Sequence, residues 1–354
     1  MCNIVLALCP NTPEVWIYEL QGGKWTKVHT LSEHTQVVTG IAWAPGSNSI
    51  VTAAQDRNAY VWELRDGTWE PTLVILRINR AATAVAWTAD ERKFAVSSGA
   101  KCIAVCYYDP EQNWWVSKHI KKGIRSTVLC LDWHPENTLI AAGTADFKAR
   151  VYAAAIRKYD QKPSPGPWGD KFSWGNCMAE FDFGNSWVHD IKFSPSGLKL
   201  GWTTHDSAVH IAEASGNVST VRSRDLPGTA CLFLSDNTLV VGGHNCNLAV
   251  YTGADGGQWE YQTNLDLAKG KEKKKKTGTS AAFAKFQAAD SLGQSSDKND
   301  TDLKTAHQNT IKSLCPLEVS GTLVAKFSSA GLDGKVITWE LPALEGANPA
   351  LNIQ

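Results

Sequence analysis

Short apolar runs separated by turn-forming residues recur along the whole chain. The pattern is clearest at residues 37–43, 49–53 and 59–64, which are rich in β-branched and aromatic side chains. APGSN follows the first of these runs, and QDRN follows the second. Runs of this length with such turns between them predict antiparallel strands.

The same spacing marks out a repeated unit. Asp56, in the second turn, comes thirteen residues after Trp43 and six before Trp62. The positions equivalent to Asp56 are Pro10, Ala100, Asp146, Asp206, Asn245 and Asp333. We call Asp56 and these six positions the marks of the repeat. The residues six positions after the marks are Trp16, Trp62, Cys106, Tyr152, Ala212, Tyr251 and Trp339. Near the end of the first run in five units stand Trp43, Trp87, Trp133, Phe193 and Phe233. Seven four-stranded units predict an all-β fold, a seven-bladed β-propeller.

Two intervals between the marks are longer than one blade and contain insertions. The first, about 157–178, includes Trp168 and Phe172 and predicts an ordered extended loop against the propeller body. The second predicts a partly disordered helical arm between blades six and seven. The predicted divisions are blades one to six at 1–261, the arm at 262–306, blade seven at 307–341 and a C-terminal tail at 342–354. The first blade lacks its innermost strand, so the last blade is expected to leave an unpaired edge.

The predicted arm differs in composition from the rest of the chain. It carries a basic run, Lys273, Lys274, Lys275 and Lys276, followed by an apolar stretch with Phe283, Phe286 and Leu292. Phe283 and Phe286 would share one face of a helix too short to persist alone. The segment either binds the groove of a partner, actin or an activator, or folds back on the propeller, or serves as a linker. The lysines are a nuclear import signal, an anion-binding strip or solvated charge.

Two blades contain the polar tetrad of the WD-repeat class. In such blades a turn Asp bonds a His, which bonds a Ser or Thr, which bonds a Trp indole. Here the tetrads are His34, Thr52, Asp56 and Trp62, and His307, Ser329, Asp333 and Trp339. A His with Asp and Ser also resembles a catalytic triad. Two copies at fixed strand and turn positions favour a structural role.

Composition and charge narrow the function classes. Lys+Arg and Asp+Glu are 35 each, so no net basic field favours nucleic acid. There is no apolar run of membrane-spanning length, and nine cysteines without CxxC pairs are typical of a reducing cytosol. We find no catalytic motif, no metal-ligand set and no cofactor site, so we predict that the chain is not an enzyme. Arg77, Arg80, Lys121, Lys122 and Arg125 are either solvated loop charges or a basic interface for an acidic partner.

Four segments carry a resemblance to a known family. WTKVHTLSEH, DRNAYVWEL, TLVILRINRAATAVAW and WWVSKHIKKGIRSTVLCLDWHP, with the long insert before the last blade, closely resemble subunit one of the actin-related protein 2/3 complex. The resemblance covers nearly the whole chain, although about 20 residues of the family pattern are missing at its start. PheGln at 286–287 matches the helix of the family insert.

The resemblance implies a function. It implies a non-catalytic scaffold subunit of a seven-protein assembly that nucleates a daughter actin filament on the side of a mother filament. The implied partners are the other subunits, the actin filament and nucleation-promoting factors, with no nucleic acid and no membrane span. The implied location is the cytoplasm and actin cytoskeleton, including cortical patches. The alternative is a generic WD-repeat adaptor in another cytosolic complex, such as a ubiquitin ligase or a trafficking complex.

Overall fold

The regular structure of the described chain consists of β-strands. The computed structural model describes residues 5–44, 46–161, 166–170, 172–182, 186–266, 303 and 305–340. These ranges contain 26 strands, β1 to β26, and within them there is no helix long and apolar enough to cross a membrane. The predicted arm residues at 273–276, Phe283, Phe286 and Leu292 lie outside the described residues, as does the tail.

The strands fall into seven consecutive sheets, the blades. Blade one contains β1 (Val5–Leu8), β2 (Val15–Gln21) and β3 (Lys24–Leu31). Blade two contains β4 (Val38–Ala44), β5 (Ser49–Ala54), β6 (Ala59–Arg65) and β7 (Thr68–Val74). Blade three contains β8 (Ala82–Trp87), β9 (Lys93–Ser98), β10 (Cys102–Asp109) and β11 (Trp114–Ile120). Blade four contains β12 (Val128–Trp133), β13 (Leu139–Thr144), β14 (Ala149–Ala153) and β15 (Cys177–Phe181). Blade five contains β16 (Val188–Phe193), β17 (Lys199–Thr204), β18 (Ala208–Glu213) and β19 (Val218–Arg222). Blade six contains β20 (Gly228–Ser235), β21 (Thr238–Gly243), β22 (Leu248–Thr252) and β23 (Glu260–Asn264). Blade seven contains β24 (Ile311–Ser320), β25 (Leu323–Gly331) and β26 (Val336–Glu340).

Each blade is an antiparallel meander of neighbouring strands. Blades two to six have four strands, whereas the described parts of blades one and seven have three. The prediction of an all-β seven-bladed propeller is therefore confirmed. Blade six ends at Asn264, three residues beyond the boundary predicted from composition, because β23 is its fourth strand.

The core lies between blades. Six clusters of buried apolar side chains fill the six interfaces from blade one through blade seven, and among the described residues none of these clusters joins blade seven to blade one. The residues six positions after the turn residues contribute to this core: Trp62, Cys106 and Tyr152 are each at most 3% exposed. At the unjoined side, Leu317 and Val319 of β24 are 52% and 57% exposed. Blade seven therefore exposes apolar side chains of its first strand to solvent on this side.

The meander fixes which loops share a face. Because strands alternate in direction, the starts of first strands, the turns between second and third strands and the ends of fourth strands lie at one end of each blade. We call this end the upper face, and the opposite end the lower face. Both tetrads and the predicted basic residues belong to the upper face.

The described part of the first insertion packs against the propeller body, as predicted, and it does so at the lower face. Trp168 is buried, and its Nε1 donates to the carbonyl oxygen of Gly197 at 2.7 Å. His134 Nε2 contacts the same carbonyl at 3.2 Å. Gly197 has φ of +75°, and a Cβ there would lie 2.1 Å from His134 Nε2, so glycine is required at this turn. Phe172 is half-buried against the cluster between blades four and five.

Candidate interaction surface

The blade-two tetrad is a continuous chain of buried hydrogen bonds. Trp62 Nε1 donates to Thr52 Oγ1 at 3.0 Å, and Thr52 Oγ1 lies 2.8 Å from His34 Nε2. His34 Nδ1 lies 2.9 Å from Asp56 Oδ2. The side chains of His34 and Asp56 are 2% and 5% exposed. The chain ties the turn between β5 and β6 to the loop that enters the blade.

Blade seven has the same arrangement. Trp339 Nε1 donates to Ser329 Oγ at 2.8 Å, and Ser329 Oγ lies 2.7 Å from His307 Nε2. His307 Nδ1 is 3.2 Å from Asp333 Oδ1. Burial alone would raise the pKa of Asp333, but hydrogen bonds from Gln308 N, His307 and Lys335 N outweigh it and lower that pKa. The repeated geometry gives each polar group a partner inside the blade and leaves none directed at a substrate.

Blade four replaces the tetrad with an arginine. Arg150 on β14 points at the turn, and its Nη1 and Nη2 donate to Asp146 Oδ1 and Oδ2 at 3.1 and 3.0 Å. Its Nε donates to Glu180 Oε2 at 2.8 Å, and its side chain is 2% exposed. Burial would lower the pKa of Arg150, but the bonds to both carboxylates raise it. The position was missed by the sequence analysis, although the absence of a His in this blade called for another partner of Asp146.

The five predicted basic residues lie on adjacent parts of one face. Arg77 and Arg80 belong to the loop before β8, and Lys121, Lys122 and Arg125 belong to the loop before β12. All five are exposed. Both loops open at the upper face, on blades three and four. We call these five residues the basic surface.

The charges of the basic surface are not neutralised within the described chain. None of the five residues forms an ion pair with a described carboxylate, although Arg77 Nε donates to Ser117 Oγ at 3.2 Å. The turn carboxylates of the same face have internal partners: Asp56 contacts His34, Asp146 contacts Arg150, and Asp206 contacts Arg222. The field over this part of the upper face is therefore positive and available to an acidic partner.

Apolar side chains continue the upper face beyond the basic surface. Phe147, Trp187, Leu226 and Leu332 are between 40% and 61% exposed. They lie in the turns and entry loops of blades four to seven, and we call them the apolar rim. Phe147 has φ of +71°, a strained conformation for an aromatic residue. The sequence analysis did not identify the rim, because it becomes one surface only when the blades are placed in a ring.

The described residues contain no group of three or more His, Cys, Asp and Glu side chains arranged to hold a metal ion. A cavity of about 310 Å³ opens on the lower face, lined by Trp87, Trp133, Phe193 and Phe233 beside the ion pair of Lys192 and Asp132. These are the aromatic residues that the sequence analysis places near the ends of the first strands. The upper face is therefore the stronger candidate for function, as a surface for binding macromolecules.

Comparison with known proteins gives a consistent result. The family described as WD domain, G-beta repeat matches residues 25–63 and 115–153. "Actin-related protein 2/3 complex subunit 1A-B" of Xenopus laevis is 47% identical over 352 residues, 98% of this chain and 94% of that protein. "Actin-related protein 2/3 complex subunit 1" of Schizosaccharomyces pombe is 41% identical, covering 93% and 92% of the two chains. "Actin-related protein 2/3 complex subunit 1B" of Arabidopsis thaliana is 38% identical, covering 96% and 92%.

Proposed function

This chain belongs to the family of actin-related protein 2/3 complex subunit 1, and we propose that it is a non-catalytic scaffold subunit of that complex. The observation that carries the proposal is similarity at 38–47% identity along almost the whole chain to relatives from a frog, a yeast and a plant. In this role it supports actin nucleation and filament branching. It resides in the cytoplasm with the actin cytoskeleton and concentrates in cortical actin patches.

The fold suits a scaffold because its recognition surfaces rest on rigid sheets. Consecutive blades share closely packed interfaces, and the turns of the upper face are tied down by buried groups such as His34, Arg150 and His307. Side chains held in this way lose little conformational freedom on binding. The propeller therefore presents partners with a preorganised surface.

We assign the basic surface to acidic segments of nucleation-promoting factors. The support is its unneutralised charge on blades three and four, beside the exposed aromatic ring of Phe147. Complementary charge accelerates encounter and fixes orientation more than it raises affinity. Binding through this surface is therefore expected to weaken as salt concentration rises.

Reversing two charges of the basic surface should weaken activator binding. Lys121→Glu with Lys122→Glu is expected to leave the complex assembled and reduce the association rate of an acidic activator segment by about ten-fold at low salt. Stopped-flow fluorescence with a labelled segment measures this rate. Lys24→Glu with Arg92→Glu is the charge-matched control, since both residues are exposed on the lower face. Equal rates for the two variants would remove the basic surface from activator recognition.

We place actin contact on the inserted arm, on the sequence evidence alone. A helix as short as the one the sequence predicts could not bury these phenylalanines by itself, and the lysines would steer the arm towards an acidic actin surface. Phe283→Ala with Phe286→Ala is expected to leave assembly intact and slow branch formation several-fold. Branch density per filament, counted by fluorescence microscopy, measures this effect. Phe283→Leu with Phe286→Leu, which keeps apolar bulk, is the matched control. Branching at the wild-type rate in the alanine variant would exclude the arm from the mechanism.

A further inference from the structure

The first strands of six blades share a β-bulge at their second residue. In blades two to seven the bulged residues are Thr39, Thr83, Leu129, His189, Thr229 and Lys312. A bulge leaves its residue outside the ladder and redirects its side chain. Because first strands line the centre of a propeller, these six residues lie around the upper mouth of the central channel.

Three of the bulges serve to join blades. Thr39 Oγ1 donates to the carbonyl oxygen of Ala82 at 3.0 Å, in the next blade. Thr83 and Thr229 make the equivalent bonds to the carbonyl oxygens of the first residues of β12 and β24. Blades four, five and seven depart from this pattern. Blade four has Leu129 at the bulge, whereas blades five and seven place His189 and Lys312 at the mouth.

The side chain of His189 contacts a second histidine instead of the next blade. His189 Nε2 lies 2.8 Å from His205 Nδ1, and the ring of Trp187 lies 5.7 Å from that of His205. His244, in the equivalent turn of blade six, has its Nδ1 2.9 Å from Thr310 Oγ1. Burial, His205, Lys312 and His244 together lower the pKa of His189 to about 4. Blades five, six and seven therefore place basic residues at neighbouring positions of the upper face.

The neighbouring carboxylates do not balance this charge. Asp190 Oδ2 accepts a bond from Cys231 N at 2.9 Å, and its Oδ1 accepts one from Ile191 N. Asp206 is engaged by Arg222, by Ser186 and by Thr204. Lys312 is exposed and forms no ion pair with a described carboxylate. Basic side chains whose neighbouring carboxylates are already engaged favour an anionic ligand, because the anion stabilises their protonated forms.

We propose that His189, His205, His244 and Lys312 form a binding site for a phosphate group at the upper mouth of the channel. A phosphate monoester carries about −1.5 to −2 charge and three acceptor oxygens, which suits donors arriving from three blades. Trp187 and Leu226, both more than half exposed on the same face, would contact a peptide that carries the phosphate. The site is independent of the basic surface and of the proposed role in actin nucleation.

The chain provides its own conservative variants. His189→Thr and Lys312→Thr place at each bulge the residue that blades two, three and six use, so the propeller should fold and melt as the wild type does. In calorimetric titrations with sodium phosphate at constant ionic strength, the double variant is expected to bind at least about ten-fold more weakly, the loss of one to two charge-assisted hydrogen bonds. Lys24→Thr, on the lower face, is the control and should bind normally.

A second titration distinguishes the source of the phosphate. A pentapeptide with a central phosphoserine is compared with inorganic phosphate and with the unphosphorylated peptide. Tighter binding of the phosphopeptide, with the advantage lost in Trp187→Ala, indicates a phosphorylated protein segment; equal affinities indicate a free phosphate.

Three results would overturn the site. The first is that neither probe binds at about 10 mM. The second is that the double variant binds phosphate as tightly as the wild type. If the double variant melts early, the third is that the exposed single variant Lys312→Gln binds phosphate as tightly as the wild type. Histidine NMR gives an independent reading, since a bound anion must raise the pKa of His189 from about 4.

Discussion

Replacing Arg150 with alanine is expected to lower the free energy of unfolding by about 3 kcal/mol, the size typical of breaking a buried ion pair. The change leaves Asp146 without its bidentate partner in a turn where that carboxylate is 16% exposed. Glu180 is more exposed and keeps Lys148 at 2.6 Å, so its loss is smaller. With an unfolding entropy of about 2.1 cal/mol/K per residue, the melting temperature should fall by roughly 4 °C.

Blade five offers a matched control for this prediction. Arg222 contacts Asp206 at 3.2 Å, but its side chain is 62% exposed. An exposed ion pair contributes about 0–1 kcal/mol, so Arg222→Ala should barely change the melting temperature. Calorimetric melting of both variants measures the difference. If Arg150→Ala costs no more than Arg222→Ala, Arg150 does not replace the tetrad in blade four.

Asp56→Ala is expected to destabilise the protein by about 1–3 kcal/mol, because it leaves a buried donor without an acceptor. His34 Nδ1 loses its partner, and the backbone N–H groups of Thr35 and Asn58 lose theirs at 3.1 and 3.0 Å. Urea unfolding of the isolated chain measures the loss. Asp225→Ala, which changes an exposed carboxylate on the same face, should have little effect.

The blade-seven tetrad adds a dependence on pH. The pKa of Asp333 is lowered in the folded state, so its contribution to stability is present above the unfolded value of about 3.9 and is lost as pH falls through the folded value. Asp333→Asn should remove this part of the acid sensitivity. A tetrad variant that melts normally but fails to support actin nucleation would contradict the structural role.

The propeller could be predicted from sequence because its signals are local and repeated. Turn residues such as Asp56 and the aromatic residue six positions later recur in register, and strand boundaries follow from them within one or two residues. The tetrads could be named for the same reason, since each member occupies a fixed place in the unit. The five residues of the basic surface could be identified from the sequence as members of two loops. Only the arrangement of the blades in a ring shows that the two loops lie on one face.

Other features depend on geometry that the sequence does not show. The β-bulge that turns His189 into the channel mouth shifts the register by one residue and leaves no mark in the pattern of apolar positions. The apolar rim brings together turns from different blades. Arg150 is the exception, because a blade with Asp146 and no histidine already implied a substitute partner. A search for basic residues on the third strand would have found it.

Native mass spectrometry of the complex purified through a tag on this chain tests whether the chain is a subunit of the actin-related protein 2/3 complex. We expect one assembly of seven different proteins, including actin-related subunits, that contains a single copy of the tagged chain and accelerates branched actin polymerisation. Recovery of the tagged chain in a ubiquitin-ligase or trafficking complex, without actin-related proteins, would contradict it.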